Sequence, residues 1–142
     1  MDYKKVLKEK NIALLWLPKD YSEQGTHIAP CYQFPNGAIC LRLGMTETKD
    51  SHTAFHEIGH LEEGKPLTKT DPRIRKLEHY KNEANANKFL LQNEAPKFVE
   101  ANEYNPIWAT PDRLCAYLGL RNTFENIWLA QQEIDTALWD AL

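Results

Sequence analysis

The chemistry of this chain centres on one stretch of sequence, Ala54-Phe55-His56-Glu57-Ile58-Gly59-His60-Leu61. Its large apolar residues recur at three-residue spacing, at Phe55, Ile58 and Leu61. This periodicity predicts an amphipathic helix. His56 and His60 then lie one turn apart on the same face, so both imidazoles can reach one metal ion. Glu57 projects about 100° round the helix from His56. We therefore expect its carboxylate to stand beside the metal as a general base rather than as a ligand.

The segments that follow this stretch also predict helices. Asp50 or Ser51 is expected to cap the helix of His56 and His60, because both side chains can accept a bond from a backbone N–H. Residues 64–72 contain two prolines and two threonines and predict a loop. Arg73–Asn93 has apolar residues at helical spacing, whereas Ala95–Thr110 contains two prolines that are expected to interrupt it.

A third metal ligand is expected on an element that follows the two histidines, because catalytic zinc takes three protein ligands and a water. The candidates are the carboxylates and the imidazole downstream, Glu62, Glu63, Asp71, Glu78, His79 and Glu83. Glu83 lies at the edge of the apolar stripe of the second helix, beside small residues that let two helices approach closely. We favour Glu83, and Glu78 and His79 are the alternatives. Tyr80, or else His79, could donate a hydrogen bond to the oxyanion of the reaction.

The N-terminal part predicts a small sheet. Asp2 is expected to cap a short helix, and the apolar run within Asn11–Pro18 predicts a strand. Asn36-Gly37 separates Cys31–Phe34 from Ala38–Leu43, and this dipeptide between apolar stretches is typical of a β-hairpin. We expect a small antiparallel sheet of about three strands. A short link joins its last strand to the histidine helix, so a substrate peptide is expected to add to the edge of Ala38–Leu43.

The C-terminal part predicts two more helices. Thr110 followed by Pro111 is expected to begin a helix that ends at Leu118. Asn122 and Glu125 resemble a capping box for a last helix. The apolar stripe of that helix is expected to face the core and comprises Phe124, Ile127, Trp128, Ile134 and Leu138. The fold class is therefore α+β, with the sheet packed against several helices.

Composition excludes several classes of protein. The chain has 142 residues, of which 42% are hydrophobic, and a formal net charge of -3. These values predict one domain over residues 1–142 and argue against disorder and against nucleic-acid binding. The three cysteines have no metal-site spacing and are expected to be free thiols. No signal peptide or membrane-spanning run is found in the sequence, so a cytoplasmic location is expected.

Other residues have less specific expectations. The four tryptophans are expected in the core or at interfaces and are Trp16, Trp108, Trp128 and Trp139. His52 is expected to face solvent, with a position beside the metal ligands as the alternative, and His27 is expected to lie at the surface in an irregular segment.

His56-Glu57-Ile58-Gly59-His60, followed by Glu83-Ala84-Asn85 and Phe89-Leu90-Leu91, resembles the ImmA/IrrE family of small zinc metallopeptidases. The resemblance covers roughly residues 1–130. It implies a zincin-like fold of the gluzincin type and a helix-turn-helix-like part that begins at Leu114. It implies His56, His60 and Glu83 as zinc ligands and Glu57 as the catalytic residue. Manganese is the alternative metal.

The resemblance also implies a substrate class. Family members of this size are similar to partners of phage or mobile-element repressors, which they cleave or help to inactivate. The expected function is thus a metal-dependent endopeptidase acting on a helix-turn-helix repressor. The alternative is a regulatory binding module or a toxin–antitoxin component that keeps the fold without catalysis. Neither direct binding of nucleic acid nor membrane association is expected.

Overall fold

The computed structural model describes residues 2–63 and 72–142, and in these residues the chain forms five helices and three strands. The elements in chain order are α1 (Tyr3–Glu9), β1 (Ala13–Leu17), β2 (Gly25–Ile28), β3 (Ala38–Arg42), α2 (Glu47–Glu63), α3 (Pro72–Ala101), α4 (Pro111–Leu118) and α5 (Phe124–Asp140). The α+β class is confirmed. No helix within the described residues is long and apolar enough to cross a membrane. The loop expected over residues 64–72 falls, up to residue 71, outside the described residues.

The chain forms two compact units, Met1–Ala86 and Asn87–Leu142, and α3 contributes residues to both. The expectation of a single metallopeptidase-like domain stays a prediction.

The sheet of the first unit is mixed, with strand order β1-β3-β2. β3 pairs with β1 in parallel and with β2 antiparallel. The expectation of an antiparallel sheet is therefore wrong for the β1–β3 pair. Since β3 is the central strand, with partners on both sides, the expectation that a peptide adds to the edge of Ala38–Leu43 is also wrong. Within the described residues, β1 and β2 are the two edge strands of the sheet.

The predicted hairpin is wrong in its first strand. Residues 32–34 form bends, and the backbone N–H groups of Cys31 and Gly37 both donate to the carbonyl of Phe34. Gly37 has the positive φ of 84° that the dipeptide predicts, but Asn36 does not share it. The type I′ hairpin turn that Asn-Gly favours requires positive φ at both central residues. β3 therefore pairs with β2, which lies farther upstream, and residues 29–37 connect the two strands.

The core of the first unit lies between α2 and the sheet, where Phe55 and Ile58 of α2 and Ile39 and Leu41 of β3 are fully buried. The Asp2 cap of α1 is confirmed by a 3.1 Å hydrogen bond from the Lys4 N–H.

The predicted cap of α2 is wrong. The helix begins at Glu47, and the Oγ1 of Thr46 accepts from the Lys49 N–H. Thr46 provides a capping oxygen about one turn before the predicted cap. Asp50 and Ser51 therefore lie within the helix.

The second unit contains the C-terminal half of α3, which continues through Pro96. The expected interruption there is wrong. A proline inside a helix removes one hydrogen bond. Leu91, Ala95 and Val99 nevertheless form a buried face that runs past it, and their burial offsets that loss.

The predicted bounds of α4 are confirmed, since it runs from Pro111 to Leu118 and ends at Gly119 with a left-handed φ of 74°. The cap of α5 is Thr123 rather than Asn122, because the Thr123 hydroxyl accepts from the Asn126 N–H. α4 and α5 are joined by residues 119–123, and the helix-turn-helix likeness stays a prediction.

α5 has an outward-facing aromatic stripe that the sequence did not lead us to expect. Its buried residues are Asn126, Ala130 and Ile134. Phe124 and Trp128, which were expected to face the core, are 86% and 53% exposed. Trp139 is 75% exposed and falls on the same face. Trp16 and Trp108 are exposed too, so a core position is wrong for all four tryptophans.

Gly37→Ala is expected to lower the free energy of unfolding by about 2 kcal/mol. Gly37 has positive φ, and a Cβ there would lie 2.8 Å from the backbone oxygen of Ile28. Gly44→Ala is the matched control, because Gly44 has a similar φ of 91° but only the Lys19 side chain nearby, at 3.6 Å. Urea unfolding followed by circular dichroism compares the two variants. Equal losses would mean that the close contacts with Ile28 and with the Cδ1 of Leu61, also 2.8 Å away, do not matter.

Candidate metal centre

The imidazoles of His56 and His60 meet on one face of α2. Their Nε2 atoms are 3.2 Å apart, and the rings meet edge to face with centroids 4.7 Å apart. The helix forms because its opposite face buries Phe55 and Ile58 against the sheet. The four-residue spacing then directs both imidazoles to one point.

Glu83 of α3 brings a carboxylate to the same point. Its Oε1 lies 2.9 Å from the Nε2 of His60, and its Oε2 lies 3.5 Å from the Nε2 of His56. Tetrahedral zinc with bonds of about 2.0–2.2 Å separates neighbouring donor atoms by about 3.4 Å. The three observed separations fall close to this value, and two imidazoles with a carboxylate are a donor set that zinc accepts.

The electrostatics of this site couple His60 to Glu83. A hydrogen bond to the Glu83 carboxylate raises the pKa of His60, although burial of the imidazole opposes that shift. The same hydrogen bond lowers the pKa of Glu83, and the nearby imidazoles of His56 and His79 add to the effect. His60 therefore holds its proton to a higher pH than an isolated histidine does.

Glu57 lies beside these residues, buried to 8% exposure. His56, Glu57 and His60 each offer one ligand atom within 4.8 Å of the other two, so this group could hold a metal ion. The Oε1 of Glu57, however, is 3.3 Å from the Nδ1 of His27. Both oxygens of Glu83 face the imidazoles of His56 and His60, whereas the Oε1 of Glu57 contacts His27.

His27 is the residue of this site that sequence reasoning missed. It lies on β2 rather than in an irregular surface segment, and its ring stacks on that of His60 with centroids 5.6 Å apart. It reaches the site because β2 pairs with β3 and contacts α2. Pairing between strands is not visible in residue spacing, and no local signal marked this histidine.

The other predicted residues lie apart from these donors or are not tested. Tyr80 is 58% exposed, and its ring contacts include His79 and Lys76. Its role with the oxyanion stays a prediction. Glu62 forms an ion pair of 3.6 Å with Lys10. Asp71 and the side chain of Glu63 lie outside the described part of the chain.

Two further side chains, one on α2 and one on β3, are buried. His52 is only 6% exposed, so its expected solvent-facing position is wrong. Cys40 of β3 is a free thiol, as expected, and burial raises its pKa, with the Glu57 carboxylate adding to the shift. A thiol with a raised pKa stays protonated and is a poor metal ligand.

Comparisons of the sequence with protein-family models and with curated proteins, and of the structure with solved structures, found no significant match.

Zinc binding to the wild type is expected to release more protons at pH 7 than at a pH well above the raised pKa of His60. Glu83 raises the pKa of His60, so more of this imidazole carries a proton that must leave when a metal binds. A proton and the metal compete for the His60 imidazole. Lowering the pH through the raised pKa of His60 therefore weakens metal binding, and raising the pH above that pKa removes the competition. Titration calorimetry in two buffers of different ionisation enthalpy counts the protons. Equal counts at the two pH values would contradict the coupling.

Proposed function

We propose that this protein is a zinc-dependent endopeptidase of the ImmA/IrrE type, with His56, His60 and Glu83 as the metal ligands. The observation that carries the proposal is the convergence of two imidazoles and one carboxylate at 2.9–3.5 Å. A second, buried carboxylate, that of Glu57, lies directly beside them. This combination suits metal-assisted hydrolysis, which needs three protein ligands, an open position for water and a separate acid–base group.

Glu57 is the general base in this proposal. A bound zinc ion would polarise the scissile carbonyl and lower the pKa of water. Glu57 accepts a proton from the attacking water and then donates it to the nitrogen of the leaving amine. Burial favours this role, because a carboxylate that is shielded from bulk water exchanges its proton with the reactants. Tyr80 or His79 donates to the developing oxyanion.

The substrate is proposed to bind as an extended peptide along β2. Within residues 2–63 and 72–142, β2 pairs with β3 alone and contacts α2. An edge strand offers backbone donors and acceptors that hold a peptide in a fixed register. His27 lies on this strand and reaches Glu57, so a peptide on its outer edge would run close to the general base.

A helix-turn-helix repressor of a phage or mobile element is the proposed substrate, on the basis of the family resemblance. The alternative function is a regulatory binding module, and the aromatic stripe of α5 favours it. Exposed tryptophans are typical of protein interfaces. α5 also carries Glu125, Glu133, Asp135 and Asp140 with no lysine or arginine. Such a surface suits a protein partner with a basic segment.

Incubation with purified repressors from phages or mobile elements tests the proposal. The zinc-loaded protein should produce fragments that intact-mass spectrometry detects. Chelation should stop the cleavage, and zinc should restore it. Stable binding of a repressor without any fragment would instead support the binding module. Fragments that form equally well with chelator present would exclude a metal-dependent reaction.

A further inference from the structure

The imidazole of His27 is held between two residues of α2. Its Nδ1 lies 3.3 Å from the Oε1 of Glu57. Its ring lies nearly parallel to that of His60, at an interplanar angle of 15°. One contact fixes the edge of the ring and the other fixes its face. The ring can therefore neither slide nor turn without losing one of the two contacts.

The backbone of β2 is itself held close to α2 by a glycine. A Cβ at Gly25 would lie 2.6 Å from the Cγ2 of Thr53 and 2.9 Å from the backbone oxygen of Cys40. No larger residue fits there without moving the strand. This close approach brings His27, two residues farther along β2, within reach of Glu57.

We propose that His27 is a positioning residue that orients the Glu57 carboxylate for proton transfer. This inference rests on the proposed peptidase function. The Nδ1–H of His27 donates to the Oε1 of Glu57, so that Oε2 is the oxygen that accepts the proton of the attacking water. A general base acts efficiently only when its carboxylate is held in the reactive geometry. His27 contributes that restraint from outside the set of ligands.

Two variants at position 27 separate the hydrogen bond from the stacking. His27→Phe keeps a ring on His60 but loses the donor, and kcat is expected to fall by about 10- to 100-fold. KM and zinc affinity should change by less than about twofold, since neither depends on the carboxylate's orientation. His27→Asn offers an N–H close to the position of Nδ1 and should recover most of kcat.

A nitrogen NMR experiment provides a readout that does not depend on activity. In the zinc-loaded wild type, His27 should carry its proton on Nδ1, because the Glu57 carboxylate accepts it. In Glu57→Ala, that preference should disappear. This measurement needs no variant at position 27, so it decides the contact even if His27→Phe fails to fold.

The outcomes separate this inference from the proposed function. If Glu57→Gln is inactive while His27→Phe has wild-type kcat, the peptidase stands and the positioning role is wrong. A His27→Asn variant as slow as His27→Phe, or a proton on Nε2 in the wild type, would also overturn it. If the wild type cleaves no repressor, the proposed function fails and the positioning role fails with it, whichever nitrogen carries the proton.

Discussion

The Glu57→Gln variant is expected to bind zinc as the wild type does and to lose cleavage by a factor of about 10²–10⁴. Glutamine has nearly the same shape as glutamate, and its side-chain oxygen can still accept from the Nδ1 of His27. It cannot take a proton from the attacking water. Cleavage of a repressor is measured by single-turnover kinetics, and zinc by elemental analysis of the same preparation.

This variant also decides which carboxylate holds the metal. His56, Glu57 and His60 could hold an ion by themselves, whereas we propose Glu83 as the third ligand. If Glu57→Gln loses its zinc, Glu57 is a ligand and the assignment to Glu83 is wrong. If it keeps zinc and cleaves at an unchanged rate, the general base lies elsewhere.

The sequence predicts those parts of the site whose contacts are local in the chain. His56 and His60 were predictable, because a helix places residues four apart on one face whatever surrounds it. Glu83 could only be chosen among several carboxylates, since its contact with α2 depends on how two helices meet. His27 was not predictable, because strand pairing brings it to Glu57 from 30 residues away.

The sheet shows the same limit. The apolar run of β1 and that of β3 were recognisable as strands, since short apolar runs bounded by proline or glycine are typical of buried strands. The partner of β3 was not. Asn36-Gly37 predicted a tight hairpin, but only Gly37 adopts positive φ. The order β1-β3-β2 depends on pairing between segments that lie apart in the sequence, and a dipeptide does not encode such pairing.

α5 shows why an apolar stripe does not by itself identify a core face. Phe124 and Trp128 fit the helical spacing of a predicted apolar stripe that includes the buried Ile134, yet both face outward with Trp139. The helix is apolar on two sides, and spacing cannot distinguish a side that packs in the core from one that is available to a partner. Pro96 is the converse case. A local rule predicted a break, and the burial of Leu91, Ala95 and Val99 overrides it.

The zinc affinity of the His60→Ala variant is expected to fall by at least about 100-fold. This loss is larger than the 10- to 100-fold that typically follows mutation of residues that hydrogen-bond to the metal ligands. In the wild type, the Nε2 of His60 lies 3.2 Å from the Nε2 of His56 and 2.9 Å from the Oε1 of Glu83. His60 therefore takes part in the two shortest contacts of the site. Without it, two donors remain, and two donors do not hold a catalytic zinc. Competition with a chromophoric chelator measures the affinity.

The matched control is His79→Ala, which removes an imidazole of α3 that was an alternative ligand. His79 is exposed, and its influence on Glu83 is only electrostatic, so zinc affinity should stay within about threefold of the wild type. Zinc should also raise the melting temperature of the wild type and of His79→Ala but not that of His60→Ala, because a ligand that binds only the folded state stabilises it. Equal zinc content in His60→Ala and the wild type would overturn the metal centre proposed here. A loss confined to His79→Ala would move the third ligand from Glu83 to His79.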